Sequence, residues 1–73
     1  MKMIEISMEK RRVYHYTGGK TFEIEAPLQL HIIEDEKGVT HRVVAADGMT
    51  YRPERGWLGI SWEPKPGEPA FVA

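Results

Sequence analysis

The chain has 73 residues, no cysteine and a formal net charge of −1 at pH 7. These values describe one domain with no disulfide staple, no thiolate metal site and none of the global basicity of a nucleic-acid or anionic-membrane binder. A domain of this size buries only about 60% of the surface its unfolded chain exposes, so a compact core, self-association or both must supply its stability. Glu5 interrupts the apolar residues at the start of the chain, where an export signal stays apolar. No run approaches the roughly 20 apolar residues of a membrane span, and a soluble, cytoplasmic protein without membrane contact is expected.

Ile4, Ile6 and Met8 alternate with Glu5, Ser7 and Glu9, which predicts a first strand with three apolar side chains on one face. Met1, Ile4 and Met8 also fit a helical stripe, so strand is preferred over helix there without being forced. Residues 11 to 16 and 21 to 26 flank Thr17-Gly18-Gly19-Lys20. Two adjacent glycines can take the positive φ values of a two-residue hairpin loop. That loop sets Val13 opposite Ile24, Tyr14 opposite Glu23 and Arg12 opposite Glu25. Val13, His15, Phe22 and Ile24 would then face a core, with Arg12, Tyr14 and Tyr16 facing water.

Pro27 cannot donate to a ladder and marks an edge, a bulge or a corner. Leu28, Leu30 and Ile32 predict a fourth strand, and Val39, His41, Val43 and Ala45 a fifth, joined by the charged turn Asp35-Glu36-Lys37-Gly38. A four-residue loop sets Leu30 against Val43, whereas a three-residue loop with a glycine bulge shifts every pair by one. Asp47-Gly48 predicts a further tight hairpin, pairing residues 44 to 46 with residues 49 to 51. Apolar residues on both of its faces predict cover on both sides. After a turn at Pro53 to Gly56, Leu58, Ile60 and Trp62 alternate with Gly59, Ser61 and Glu63 as a last strand.

The result is an all-β fold: a small antiparallel sheet or open barrel of five to seven short strands over residues 1–63, followed by a proline-rich tail over residues 64–73. The expected core draws on Ile4, Ile6, Val13, Phe22, Ile24, Leu28, Leu30, Val43, Leu58, Ile60 and Trp62. Within the tail, Pro66-Gly67-Glu68-Pro69 has the form of a PxxP ligand and Phe71 can pack on the body.

The inventory argues against an enzyme. The chain has no Asn, its two Asp residues sit in predicted turns, and neither serine lies in a nucleophile elbow. Glu23 and Glu25 read as cross-strand partners on an open hairpin face. His15, His31 and His41 lack the spacing of a metal motif. No catalytic, cofactor-binding or metal-ligating residue is assigned, and no cofactor is expected.

Two binding roles are. The first is a non-catalytic protein-interaction module, self-associating or joined to an unidentified protein partner through strand edges or through an aromatic patch of Tyr51, Arg55 and Trp57. The alternative is single-stranded nucleic-acid binding by Arg11, Arg12, Tyr14 and Tyr16, an interleaving of cations and rings suited to phosphates and stacked bases. Glu23 and Glu25 beside that strand would repel phosphate.

Overall fold

A computed structural model describes residues 2–67. Among these residues seven strands form: β1 (Lys2–Glu5), β2 (Glu9–His15), β3 (Thr21–Glu25), β4 (Pro27–Asp35), β5 (Gly38–Ala45), β6 (Thr50–Tyr51) and β7 (Gly59–Pro64). They make two antiparallel sheets, one ordered β1-β4-β5-β6 and the other β3-β2-β7. The connections β2–β3, β4–β5 and β5–β6 coincide with the glycine or aspartate punctuation of the sequence, whereas β1–β2 turns through Ile6-Ser7-Met8 and β3–β4 through Ala26. The PxxP pattern at 66–69 and the docking of Phe71 fall wholly or partly outside the described residues.

The first hairpin differs from expectation by one residue. Its loop is Thr17-Gly18-Gly19, closed by the Tyr16 N–H on the Lys20 carbonyl at 2.8 Å, with Gly18 and Gly19 at φ 77° and 76°. Tyr14 therefore pairs with Phe22, Arg12 with Ile24 and Val13 with Glu23. In a strand a one-residue slip exchanges the two faces. Arg12 and Tyr14 turn inward beside Phe22 and Ile24, whereas the expected core residue Val13 turns outward with Arg11 and His15. The hairpin at Asp47-Gly48 behaves alike: Val44 pairs with Thr50, and Gly48, at φ 85°, donates to the Ala45 carbonyl at 3.0 Å in a three-residue loop. In the β4–β5 hairpin, Leu30 faces Val43 and Glu34 faces Val39, the register of the four-residue loop.

The chain bends sharply where Pro27 predicts a corner. Ala26 takes φ 48°, Leu28 is an extra residue in the β4–β5 ladder, and Pro27 is buried. From this corner the Ala26 N–H reaches the Lys10 carbonyl at 2.8 Å, and the Ala26 carbonyl accepts from Ala46 at 3.0 Å, so one residue ties β3 to both sheets. Ile6, Tyr14, Ile24, Leu30, Val43 and Ala45 fill the space between the sheets, with Phe22, Tyr51, Trp57 and Ile60 packed around them.

Several expected core residues lie elsewhere. Ile4 sits at the outer edge of its sheet and Leu58, at 74% exposure, precedes β7 on the surface. Val13, Leu28 and Trp62 are half-buried. The first strand ends at Glu5, and a turn, closed by the Glu9 N–H on the Ile6 carbonyl at 2.9 Å, carries the chain into the second sheet.

Candidate functional site

Two features stand out above the packing: a sealed polar chain inside, and an open seam between the sheets. The polar chain begins at Glu9. Strict alternation would put Glu9 and Arg12 on opposite faces of β2, but Lys10 is an extra residue in the β2–β7 ladder, and this bulge brings them to one side. Glu9 Oε2 accepts from Arg12 Nη1 at 2.8 Å, Arg12 Nε donates to Tyr14 Oη at 3.2 Å, and Tyr14 Oη lies 2.7 Å from His41 Nδ1. The Arg12 guanidinium also stands over the faces of Tyr14 and Trp62, 5.5 and 5.7 Å from the ring centres.

Trp57 closes this chain from outside, edge-on to Tyr14 at 5.2 Å and tilted against His41 at 4.7 Å. Burial raises the Glu9 carboxyl above its ordinary range, against the opposing pull of Arg12. Burial likewise raises the Tyr14 phenol, and burial together with Arg12 lowers the His41 imidazole. Tyr14 is 0% exposed and Arg12 6%, so neither presents itself to a nucleic-acid strand or to a substrate.

The seam lies between β3 and β6, edge strands of different sheets with no ladder between them. It is stitched at one end by the Ala46 N–H on the Ala26 carbonyl and at the other by the Tyr16 hydroxyl on the Glu54 carbonyl, 2.7 Å. At the Tyr16–Glu54 end opens a groove of about 440 Å³, lined by Tyr16, Lys20, Thr21, Phe22, Arg52, Pro53 and Glu54. Phe22 and Tyr51 meet beneath it, their centroids 6.2 Å apart.

The backbone of β3 makes this seam chemically open. Tyr16 bonds Lys20 and Ala26 bonds Lys10 across the β2–β3 ladder. In an antiparallel pair such hydrogen-bonded residues alternate with residues whose polar groups point away. Phe22 and Ile24 thus turn their N–H and C=O toward β2, and Thr21, Glu23 and Glu25 turn theirs toward the seam. Beside them Lys20 and Arg52 make no ion pair among the described residues.

Compared with protein-family models, with curated proteins and with solved structures, the chain matches none.

The residues expected to bind are dispersed. The Tyr51 hydroxyl donates to Asp47 Oδ2 at 2.5 Å, which raises its own pKa and lowers that of Asp47. Arg55 bonds Asp35 at 2.6 Å, and Trp57 rests on Tyr14 and His41. No hydrogen bond, ion pair or ring contact joins Tyr51, Arg55 and Trp57 among the described residues. Of the basic-aromatic run, Arg12 and Tyr14 are interior and Tyr16 lines the groove. Arg11 is held on the outer face of its sheet among Glu25, Glu63 at 3.3 Å and Glu23 at 3.6 Å. Glu23 and Glu25 are cross-strand partners of the basic run as expected, but Arg11 faces them instead of Arg12.

Sequence reasoning missed Glu9 because the bulge at Lys10 decides its face, and it missed the role of His41, on the Val43 face of β5, because the slipped β2–β3 register is what turns Tyr14 inward to meet it. It also missed Lys20, Phe22 and Arg52 as groove residues. The available signal was Tyr16, which no strand pattern required to be aromatic so close to a glycine loop.

Proposed function

We propose that this protein is a non-catalytic interaction module that takes up an extended segment of a partner protein along β3. The observation that supports the reading most directly is the row of outward backbone groups at Thr21, Glu23 and Glu25, beside a groove floored by Tyr16, Phe22 and Pro53. Unpaired strand edges next to side-chain pockets are how sheets accept an added strand: the main chain gives affinity, and alternate side chains give specificity. The interior Glu9-Arg12-Tyr14-His41 chain is closed to solvent and serves to hold the two sheets together.

The charge on β3 weighs against a second copy of this chain as the occupant. An antiparallel pairing centred on β3 sets Glu23 against Glu23 of the copy, and like charges directly opposite are destabilising. Glu63 adds to that repulsion, because one arginine is shared among three carboxylates on this face.

The test is a selection of extended peptides on the folded protein, followed by amide hydrogen exchange on the complex. Binders are expected to slow exchange at Thr21 and Glu23. A Glu23→Pro variant should abolish their binding with the circular dichroism unchanged, because the N–H it removes is not used in the β2 ladder. Binders that protect none of the β3 amides would sink the proposal.

A further inference from the structure

The seam is not electrically uniform along its length. At the hairpin end stand Lys20 and Arg52, unpaired among the described residues, with Glu54 as their nearest opposing charge in the groove lining. Toward the Ala26 end, β3 presents Glu23 and Glu25, and among the described residues these and Glu63 share the single cation of Arg11. One end is therefore net positive and the other net negative. From Lys20, Glu23 and Glu25 lie about three and five residues along the strand, on the order of 10 and 16 Å, both beyond the roughly 8 Å screening length of physiological salt. A bound segment meets them as two separate fields.

We infer that the seam selects its occupant by charge order: a partner strand antiparallel to β3 that begins basic, ends acidic and is apolar at the positions between. This rests on the strand-uptake reading above and adds the identity of the segment. Side chains of an added strand alternate between the two faces of the sheet. Those opposite Ile24 and Phe22 point inward, toward the apolar floor where Phe22 meets Tyr51. Those opposite Glu25, Glu23 and Thr21 point outward, the first two over carboxylates and the third beside Arg52. Read along its own direction, the occupant follows the pattern basic, apolar, basic, apolar, acidic. The antiparallel direction matches every ladder among the described residues. The stitches at Ala26–Ala46 and Tyr16–Glu54 limit the inserted portion to about that length. Complementary charge also raises the encounter rate and suppresses wrong partners.

Two end-capped pentapeptides test this against the full chain: Lys-Val-Lys-Val-Glu and its charge-exchanged twin Glu-Val-Glu-Val-Lys, titrated while the backbone amide resonances are followed. The first is expected to shift Thr21, Glu23 and Arg52, and to bind at least tenfold more tightly than the second. The double variant Glu23→Lys/Arg52→Glu should invert the preference. Equal shifts at the β3 amides from both peptides would overturn the charge order while leaving strand uptake standing. No shift at β3 from either peptide, together with failure of the peptide selection, would overturn both. Binding of the first peptide that survives Glu23→Pro places it elsewhere and overturns the inference. So does a shift of the same amides on raising the protein concentration alone, which would make a second copy the occupant.

Discussion

Tyr14 Oη and His41 Nδ1 are 2.7 Å apart, and their bond joins the inner face of β2 in one sheet to the inner face of β5 in the other. The hydroxyl accepts from Arg12 Nε and has its proton free for the imidazole, so the geometry suits a neutral His41 protonated at Nε2. This one oxygen sets the orientation of three side chains that sequence alone gives no reason to bring together.

Tyr14→Phe removes the oxygen and keeps the ring. Arg12 Nε then loses an acceptor and His41 Nδ1 a donor in a buried site, at a cost of about 2 kcal/mol. For a domain of this size that lowers Tm by roughly 10 °C. Thermal melts followed by circular dichroism measure it, and a shift under a degree or two would show that the bond contributes nothing net.

Stability should decline as pH falls below neutrality. The folded His41 has a pKa below its ordinary 6.5 because burial, and then Arg12, oppose its charge. Between the folded and unfolded values the unfolded chain binds more protons, so the contribution of His41 is complete above about 6.5 and is lost as pH drops toward the folded value. Glu9 has the opposite sign: its folded pKa is raised above 4.5, so the folded chain takes up that proton first and the decline eases at the acid end. Urea midpoints at pH 7.5 and 5.5 should differ in the native chain, and the difference should shrink in His41→Asn, which retains an acceptor without the titration.

Glu9 and Arg12 should show strong coupling. Removing the carboxylate alone, as in Glu9→Leu, leaves a buried guanidinium unpaired and should cost on the order of 3–5 kcal/mol. Glu9→Leu with Arg12→Met removes both charges and should recover much of that loss. A double-mutant cycle in urea measures the coupling; additivity of the two changes would show that the pair is solvated after all.

Ala26 is a non-glycine residue at positive φ, held there by its bonds to Lys10 and Ala46. Ala26→Gly should be neutral or stabilising by up to about 1 kcal/mol, because it relieves left-handed strain at some cost in chain entropy. Ala26→Val should be clearly destabilising, since a β-branched side chain crowds that conformation further. Chemical denaturation of both variants decides whether the corner carries strain.

The all-β class and the turns at the glycine and aspartate positions follow from local chemistry, whereas the turn after Glu5, inside the expected first strand, does not. Gly18-Gly19, Gly38 and Asp47-Gly48 supply backbone conformations that other residues resist, and apolar alternation supplies the strands between them. Ile6, Ile24, Leu30 and Val43 were legible as core for that reason. The faces of β2 were not. A two-residue and a three-residue loop around the same glycines have nearly equal local claims, yet they differ by one in register, and the period of two turns that single step into inside for outside. The choice rests with interactions remote in sequence: Glu9 brought round by a bulge to neutralise Arg12, Trp62 under the guanidinium, and His41 across the interior to meet Tyr14. A cation and a phenol belong in a core only once those partners are in place, and only the packing of one sheet on the other puts them there. The seam has the same origin, because which backbone groups of β3 remain unpaired depends on the register that this packing selects.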